Sequence, residues 1–582
     1  MIVLWSGFCF LLWMFHPAYT AQTDLRPNIV IIMADDMGWG DVGANWPETV
    51  DTPTIDKLAQ EGLRLTDFHA GASVCTPSRG ALLTGRLGLR TGLTKNFGTD
   101  SLGGIPTNET TIAEILSSAG YRHLSMVLTD FHAGASVCTP SRGALLTGRL
   151  GLRTGLTKNF GTDSLGGIPT NETTIAEILS SAGYRTAMLG KWHLGTQPGH
   201  HPLDKGFHSY LGVPYSLDMG CSDPPGANVP LCPACPEENS VYLYDSAPSD
   251  CIMDPALPLY RNRSIAHQPV KLADLATMYA EFASNFIHNT SSAPYFLYAA
   301  LSHMHVPLAH ASQYDNVTGR GEYMDTLQEL DGLVESILSA VKQTNNNTLF
   351  WFTSDNGPWE EKCGLSGSVG PFIGMWQASP EGGGGGSVAK RTIWEAGHRV
   401  PSIVYWPQHI KAGTVSNALT SSLDILPTLT SLAGVNLPAD RYFDGKDMSS
   451  LITGGVRSIR EVLFHPINGN GEDGEIGAVR LGCYKVVYYT GGVPDCFRQS
   501  GPAQSHADSP LVFNLDVDPS ESSPLDRNSS EYFVAAGLAR MALMGLRQSV
   551  RADNTSTVDY SSSQEGRVCC DRDSPICRCP WD

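Results

Sequence analysis

Charge is scarce in this chain, and positive charge scarcest. Lys and Arg number 39 against 58 Asp and Glu, and together they are only 17% of 582 residues. A nucleic-acid binder needs a basic footprint, so a net charge of −19 argues against that class. A hydrophobic share of 41% is too high for wholesale disorder. Beyond the N-terminus no run of 18 apolar residues occurs, so no later segment reads as a membrane span. The apolar start, Met1 to Phe15, lacks a basic flank but is followed by the small residues Ala18, Thr20 and Ala21. Residues 1–20 therefore read as a signal peptide. The remaining length buries a large core easily and suggests one big domain and a smaller one.

What the chain does have fits a secretory route. Cys221, Cys232, Cys235 and Cys251 cluster in a Pro-rich stretch, and Cys569, Cys570, Cys577 and Cys579 cluster near the end. In a secreted chain such clusters are expected to form disulfides. Asn-x-Ser/Thr sequons stand at Asn108, Asn171, Asn262, Asn289, Asn316, Asn346, Asn528 and Asn554. So many behind a leader predict a glycosylated, lumenal protein.

Leu65–Arg122 recurs residue for residue as Leu128–Arg185, an offset of 63. Solenoid repeats recur several times and diverge. Two identical copies instead read as a recent duplication or a sequence-assembly error. One copy is expected to occupy the fold and the other to be an extruded insertion. The sequence does not say which.

Asn28–Met33 is continuously apolar and β-branched, as in a strand buried on both faces of a parallel sheet. Thr186–Leu189, Tyr295–Ala300 and Thr348–Thr353 are similar. Helical patterns fall over Thr54–Gln60, Thr173–Ala182, Leu272–Ile287, Met324–Val341 and Leu423–Leu432. The alternation predicts an α/β domain over 26–444. After it come short strand-like pieces, Glu461–Phe464, Ala478–Leu481, Tyr484–Tyr489 and Leu511–Leu515, which predict a smaller α+β subdomain over 445–582.

Reactive residues follow the carboxyl ends of the four apolar strands. Asp35 and Asp36 follow the first, Lys191 and His193 the second, His303 and His305 the third, and Asp355 and Asn356 the fourth. In open α/β sheets that edge binds ligands. Asp35, Asp36, Asp355 and Asn356 offer only oxygen, which suits a hard cation, Ca²⁺ or Mg²⁺. Lys191, His193, His305 and Lys390 add groups that cradle an anion or move a proton. His303 reads as structural. Cys75-Thr-Pro-Ser-Arg79, repeated as Cys138 to Arg142, has the look of a helix start, where a Cys would face an anion site. That Cys is a thiolate nucleophile or half of a disulfide.

Cys-Thr-Pro-Ser-Arg followed by Leu-Thr-Gly-Arg resembles the signature of the sulfatase family, as do the sequences around Asp35, Lys191, His305 and Asp355. The resemblance spans almost the whole chain after the leader. It implies an alkaline-phosphatase-like fold: a large mixed β-sheet flanked by helices, with a small C-terminal sheet. It implies a formylglycine made from Cys75 or Cys138 by the formylglycine-generating enzyme, held by Arg79 or Arg142. That residue would join Asp35, Asp36, Asp355 and Asn356 around one Ca²⁺. As a gem-diol it would attack the sulfur of a sulfate ester, assisted by Asp355. Lys191, His305 and Lys390 would bind the sulfate, with His305 and Lys390 protonating the departing alcohol, and His193 would take a proton from the second hydroxyl. The implied substrates are a sulfated glycan, a 3-O-sulfate on glucosamine of heparan sulfate, and aryl sulfates. The implied location is the lysosome, with some secretion. Two rivals stand beside it: a phosphodiesterase of the same superfamily, which would need a Ser or Thr nucleophile and two metals, and an inactive glycan-binding relative.

Overall fold

Seven buried residues, Asn28–Ala34, form the central strand β1. Side chains alternate across a strand, so Ile29, Ile31 and Met33 enter one core and Val30, Ile32 and Ala34 another. A strand loaded on both faces needs helices on both faces. This computed structural model describes residues 26–71, 130–133 and 139–579, apart from 140–141, 143–145, 148, 150, 157–159, 171, 173, 224, 230–254, 291–292, 345–346, 408, 438, 455–457, 468–474, 554, 557 and 572–576. The signal-like segment 1–20, Cys75, Arg79, Cys138, Cys232, Cys235 and Cys251 lie outside the described residues.

Further strands are β2 (Leu63–Leu65), β3 (Asp67–Gly71), β4 (Asp130–Ala133), β5 (Arg185–Gly190), β6 (Ser209–Gly212), β7 (Leu259–Arg261), β8 (Ser264–His267), β9 (Tyr295–Ala300), β10 (Thr348–Ser354), β11 (Ser402–Tyr405), β12 (Thr414–Ser416) and β13 (Leu419–Ser421). The large sheet has ten strands in the order β12-β2-β11-β10-β1-β9-β5-β6-β7-β8. Its centre, β10-β1-β9-β5-β6, is parallel, and antiparallel pairs flank it. The four predicted apolar strands are therefore neighbours. Their registers align Ala34 with Ser354 and Gly190 with Ala300, so their carboxyl ends share one edge.

The helices α1 (Pro53–Glu61), α3 (Leu275–His288) and α4 (Glu322–Thr344) cover the Val30 face. The opposite core takes α2 (Ile175–Ser181), α5 (Ile425–Ala433) and α6 (Ser530–Arg551). A reciprocal cap starts α2: Glu177 N donates to Thr174 Oγ1 at 3.3 Å and Thr174 N to Glu177 Oε2 at 2.6 Å. The sequence pattern did not single out α6. It exposes Phe533, Val534, Met541 and Met544, which blurs its apolar stripe.

After these elements, β14 (Val462–Pro466), β15 (Ile476–Leu481), β16 (Tyr484–Val487) and Leu511–Asn514 form a four-stranded antiparallel sheet. A buried charged cluster stitches it to the large sheet. Lys485 Nζ meets Glu395 at 3.1 Å and Glu521 at 2.8 Å, while Arg399 and Arg480 each meet Glu395 at 2.9 Å. Disulfides join Cys363 to Cys496, Cys569 to Cys577 and Cys570 to Cys579, so the C-terminal cluster forms disulfides as expected, and the pairing, which the sequence left open, is within the cluster. Cys221 is also disulfide-bonded.

The second repeat copy supplies core residues. Leu146, Leu156, Phe160, Ile168, Ile175 and Leu179 are buried. Arg149 pairs with Glu172 and Asp553, and Arg153 with Asp553 and Asp444. A tight link from α2 into β5 holds this copy on the sheet, because the chain has no slack there. Of the first copy only Leu65–Gly71 is described. Its β3 and the matching β4 both pair with β13, Phe68 and Phe131 each opposite Thr420.

Candidate active site

The ends of β1 and β10 lock together through one backbone bond and one backbone-to-side-chain bond. Asp355 N donates to Ala34 O at 3.1 Å, and Asp36 N donates to Asp355 Oδ1 at 3.0 Å. Asp36 takes a left-handed φ of 59°, a conformation that Asp tolerates better than most residues. Asn356 Nδ2 donates to Asp36 Oδ1 at 2.7 Å and to Gly357 O at 2.8 Å. Asp35, Asp36, Asp355 and Asn356 are all buried.

Cations converge on these carboxylates. Lys191, just past β5, places Nζ 2.6 Å from Asp35 Oδ2 and 3.1 Å from Ser216 Oγ. Lys390 Nζ lies 2.5 Å from Asp36 Oδ2. His305, past β9, sets Nε2 3.6 Å from Asp36 Oδ2 and 3.3 Å from Ser216 Oγ. Arg142, fully buried, reaches to 3.7 Å from Asp35 Oδ2. Removing one partner from a buried pair strands a charge, so the set is mutually dependent. Burial acts to raise the Asp36 carboxyl, but Lys390 and His305 outweigh it and hold it below its usual range. Burial, then Lys390, pushes the His305 imidazole down.

The remaining predicted residues are placed as follows. His193, also past β5, sits with Nε2 3.2 Å from Phe160 O of the second copy. His303 turns away and faces Glu329 of α4 at 3.3 Å, in keeping with a structural role. Cys75, Cys138 and Arg79 lie outside the described residues. Two residues were missed. Ser216 bridges Lys191 and His305, and no motif marks it. Trp359 lies beside His305 with the two rings tilted, and beneath Lys390; it falls in the family-like segment after Asp355, which assigns it no role.

The site fits a hard cation. Ligand atoms of Asp35, Asp36 and His305 lie within 4.8 Å of one another. Asn356 Oδ1 is buried with no hydrogen-bond partner, because its amide nitrogen makes the contacts to protein. A buried carbonyl oxygen left so costs about 1–3 kcal/mol unless something meets it. Carboxylates beside it are the donor set of Ca²⁺ or Mg²⁺.

The Sulfatase family matches residues 27–126 and 122–435, restarting inside the duplication. This chain belongs to the sulfatase family. The sulfatase carries two further matches, the C-terminal region of aryl-sulfatase over 458–579 and the N-sulphoglucosamine sulphohydrolase C-terminal region over 383–492. It is 45% identical to arylsulfatase G of Rattus norvegicus over 558 residues, covering 95% of this chain and 93% of that one. It is 33% identical to arylsulfatase A of Homo sapiens, covering 94% and 92%. Among solved structures, the PsFucS1 sulfatase from Pseudoalteromonas sp. superposes with a TM-score of 0.65 at 24% identity, covering 92% of both chains. The sulfatase is a sulfuric ester hydrolase, of the arylsulfatase kind. This sets aside the phosphodiesterase. Such enzymes use a formylglycine and a metal.

Proposed function

We propose that this sulfatase removes a 3-O-sulfate from glucosamine of heparan sulfate, and cleaves aryl sulfates, using one Ca²⁺ and a formylglycine. The similarity to arylsulfatase G supports this reading. The formylglycine would come from Cys138 through the formylglycine-generating enzyme. The observation that carries this choice over Cys75 is Arg142, four residues on, buried 3.7 Å from Asp35.

Hydrated formylglycine supplies an oxygen nucleophile, and Ca²⁺ supplies charge that draws in the sulfate. Asp35, Asp36, Asp355 and Asn356 would hold the ion, with Arg142 steadying residue 138. Three carboxylates, Asp35, Asp36 and Asp355, share the site with three permanent cations, Lys191, Lys390 and Arg142, which meet Asp35 and Asp36. A dication added to this balanced set leaves a positive site, which suits an anionic ester. Lys191, His305 and Lys390 would bind sulfate oxygens. His305 and Lys390 would protonate the leaving alcohol, and Asp355 and His193 would manage the protons of the nucleophile. We read 26–444 as the catalytic domain and 445–582 as the subdomain built on the small sheet.

The proposed location is the lysosome, with a secreted fraction. Support comes from the sequons: Asn262, Asn289, Asn316 and Asn528 are all exposed. Among the described residues no helix is long and apolar enough to cross a membrane.

Tryptic mass spectrometry paired with turnover tests the reading. Peptides Leu65–Arg79 and His123–Arg142 differ, so formylglycine is assignable to either copy. Formylglycine at residue 138, with release of sulfate from 3-O-sulfated glucosamine, is expected. Formylglycine at residue 75 alone refutes the choice of copy, and cleavage of aryl sulfate without the sugar refutes the substrate.

A further inference from the structure

The wall of the site that meets solvent is the segment after Asp355-Asn356-Gly357-Pro358. It carries Trp359 and Lys362, both partly exposed, whereas Lys191, His305 and Lys390 are buried. The indole of Trp359 lies 5.4 Å from the His305 ring. Two ammoniums rest over it: Lys390 Nζ at 4.4 Å from its centroid and Lys362 Nζ at 4.3 Å. Each contact is an ordinary cation–π interaction. Together they bring two like charges to within twice that distance of each other. That upper bound accommodates the spacing of two anionic substituents on a single pyranose ring. Lys390 answers to Asp36, but Lys362 has no ion pair among the described residues.

The segment is held firmly from three sides. Glu360 Oε2 accepts from Ser387 Oγ at 2.9 Å and Val388 N at 2.7 Å, which ties it to the strip bearing Lys390. Lys390 N donates to Pro358 O at 3.0 Å. The Cys363–Cys496 disulfide fastens the residue after Lys362 to the C-terminal part of the chain. A long side chain on a fixed support loses less freedom when it binds, so an anion there is held at lower entropic cost.

We propose that Lys362, carried on the Trp359 indole, is a second anion site that takes a sulfate or carboxylate substituent neighbouring the sulfate to be cleaved. This rests on the active-site reading above and adds a preference for polyanionic sugars to it. The sulfate next to Lys390 is the one that reacts, and Lys362 reads its neighbour.

The test compares the wild-type protein, Lys362→Gln, Lys362→Arg and Trp359→Leu on three probes: 4-nitrophenyl sulfate, glucosamine 3-sulfate and its disulfated analogue N-sulfoglucosamine 3-sulfate, whose second sulfate sits on the adjacent carbon. The wild-type protein is expected to favour the disulfated sugar. Lys362→Gln should raise KM for it about fivefold relative to the monosulfated sugar, as for one partly exposed charge pair, with kcat changing less. Lys362→Arg should restore the preference, and Trp359→Leu should lose it. Equal losses on both sugars, or a wild-type protein with no preference, overturn the anion site and leave sulfate hydrolysis standing. No turnover of any probe overturns the active-site reading itself.

Discussion

Replacing Glu521 by Gln probes the buried charges that join the two sheets. Glu521, Glu395 and Lys485 are fully buried, and one ammonium serves both carboxylates. Burial pushes the Glu521 carboxyl from 4.5 up to about 7, against the pull of Lys485, with Glu395 adding to the rise. A carboxyl whose folded-state pKa is raised binds its proton more tightly when folded. Its contribution is thus full below pH 4.5 and is lost as pH rises through about 7. The shift corresponds to about 3 kcal/mol at most, of which about 2–3 kcal/mol falls between pH 5 and 7.5. In so long a chain each kcal/mol moves the midpoint by about 1 °C. Glu521→Gln has no proton to lose. In thermal unfolding at both pH values, the wild-type protein should therefore lose about 2–3 °C more than the variant on going from pH 5 to 7.5. Parallel pH profiles would refute the reasoning, because they would mean that Glu521 titrates alike in both states.

Other outcomes follow from the site. Arg142→Ala should lower kcat/KM by about a hundredfold, since Arg142 would steady residue 138 and a small misplacement of the nucleophile costs that much. Arg79→Ala should change it by less than about twofold, and equal losses would mean that both copies serve the site. Added Ca²⁺ should raise the melting midpoint of the wild-type protein, as any ligand of the folded state does, and raise that of Asn356→Ala markedly less. Equal shifts, followed by calorimetry, would place the ion elsewhere. Deleting residues 65–127, which joins Arg64 to Leu128, should preserve the fold and aryl sulfatase activity, as read by circular dichroism and turnover. An unfolded product would mean that the first copy carries structure.

The strands and the residues after them were legible because their cause is local. A strand buried on both faces must be apolar throughout, so Asn28–Met33, Tyr295–Ala300 and Thr348–Thr353 announced themselves. A polar residue at the end of such a run has few reasons to be there, which marked Asp35, Asp36, Asp355 and His305. Short strands at or next to the sheet's edges, such as β7 and β12, left no such mark, since three residues carry too little pattern. Ser216 and Trp359 earned their places only by what they touch. The choice between repeat copies belongs wholly to the tertiary structure. Identical sequences have identical local preferences, so only long-range partners separate them. Arg142 finds Asp35, and Arg149 and Arg153 find Asp553, because the second copy is tethered directly to β5 and the sheet edge where those charges wait.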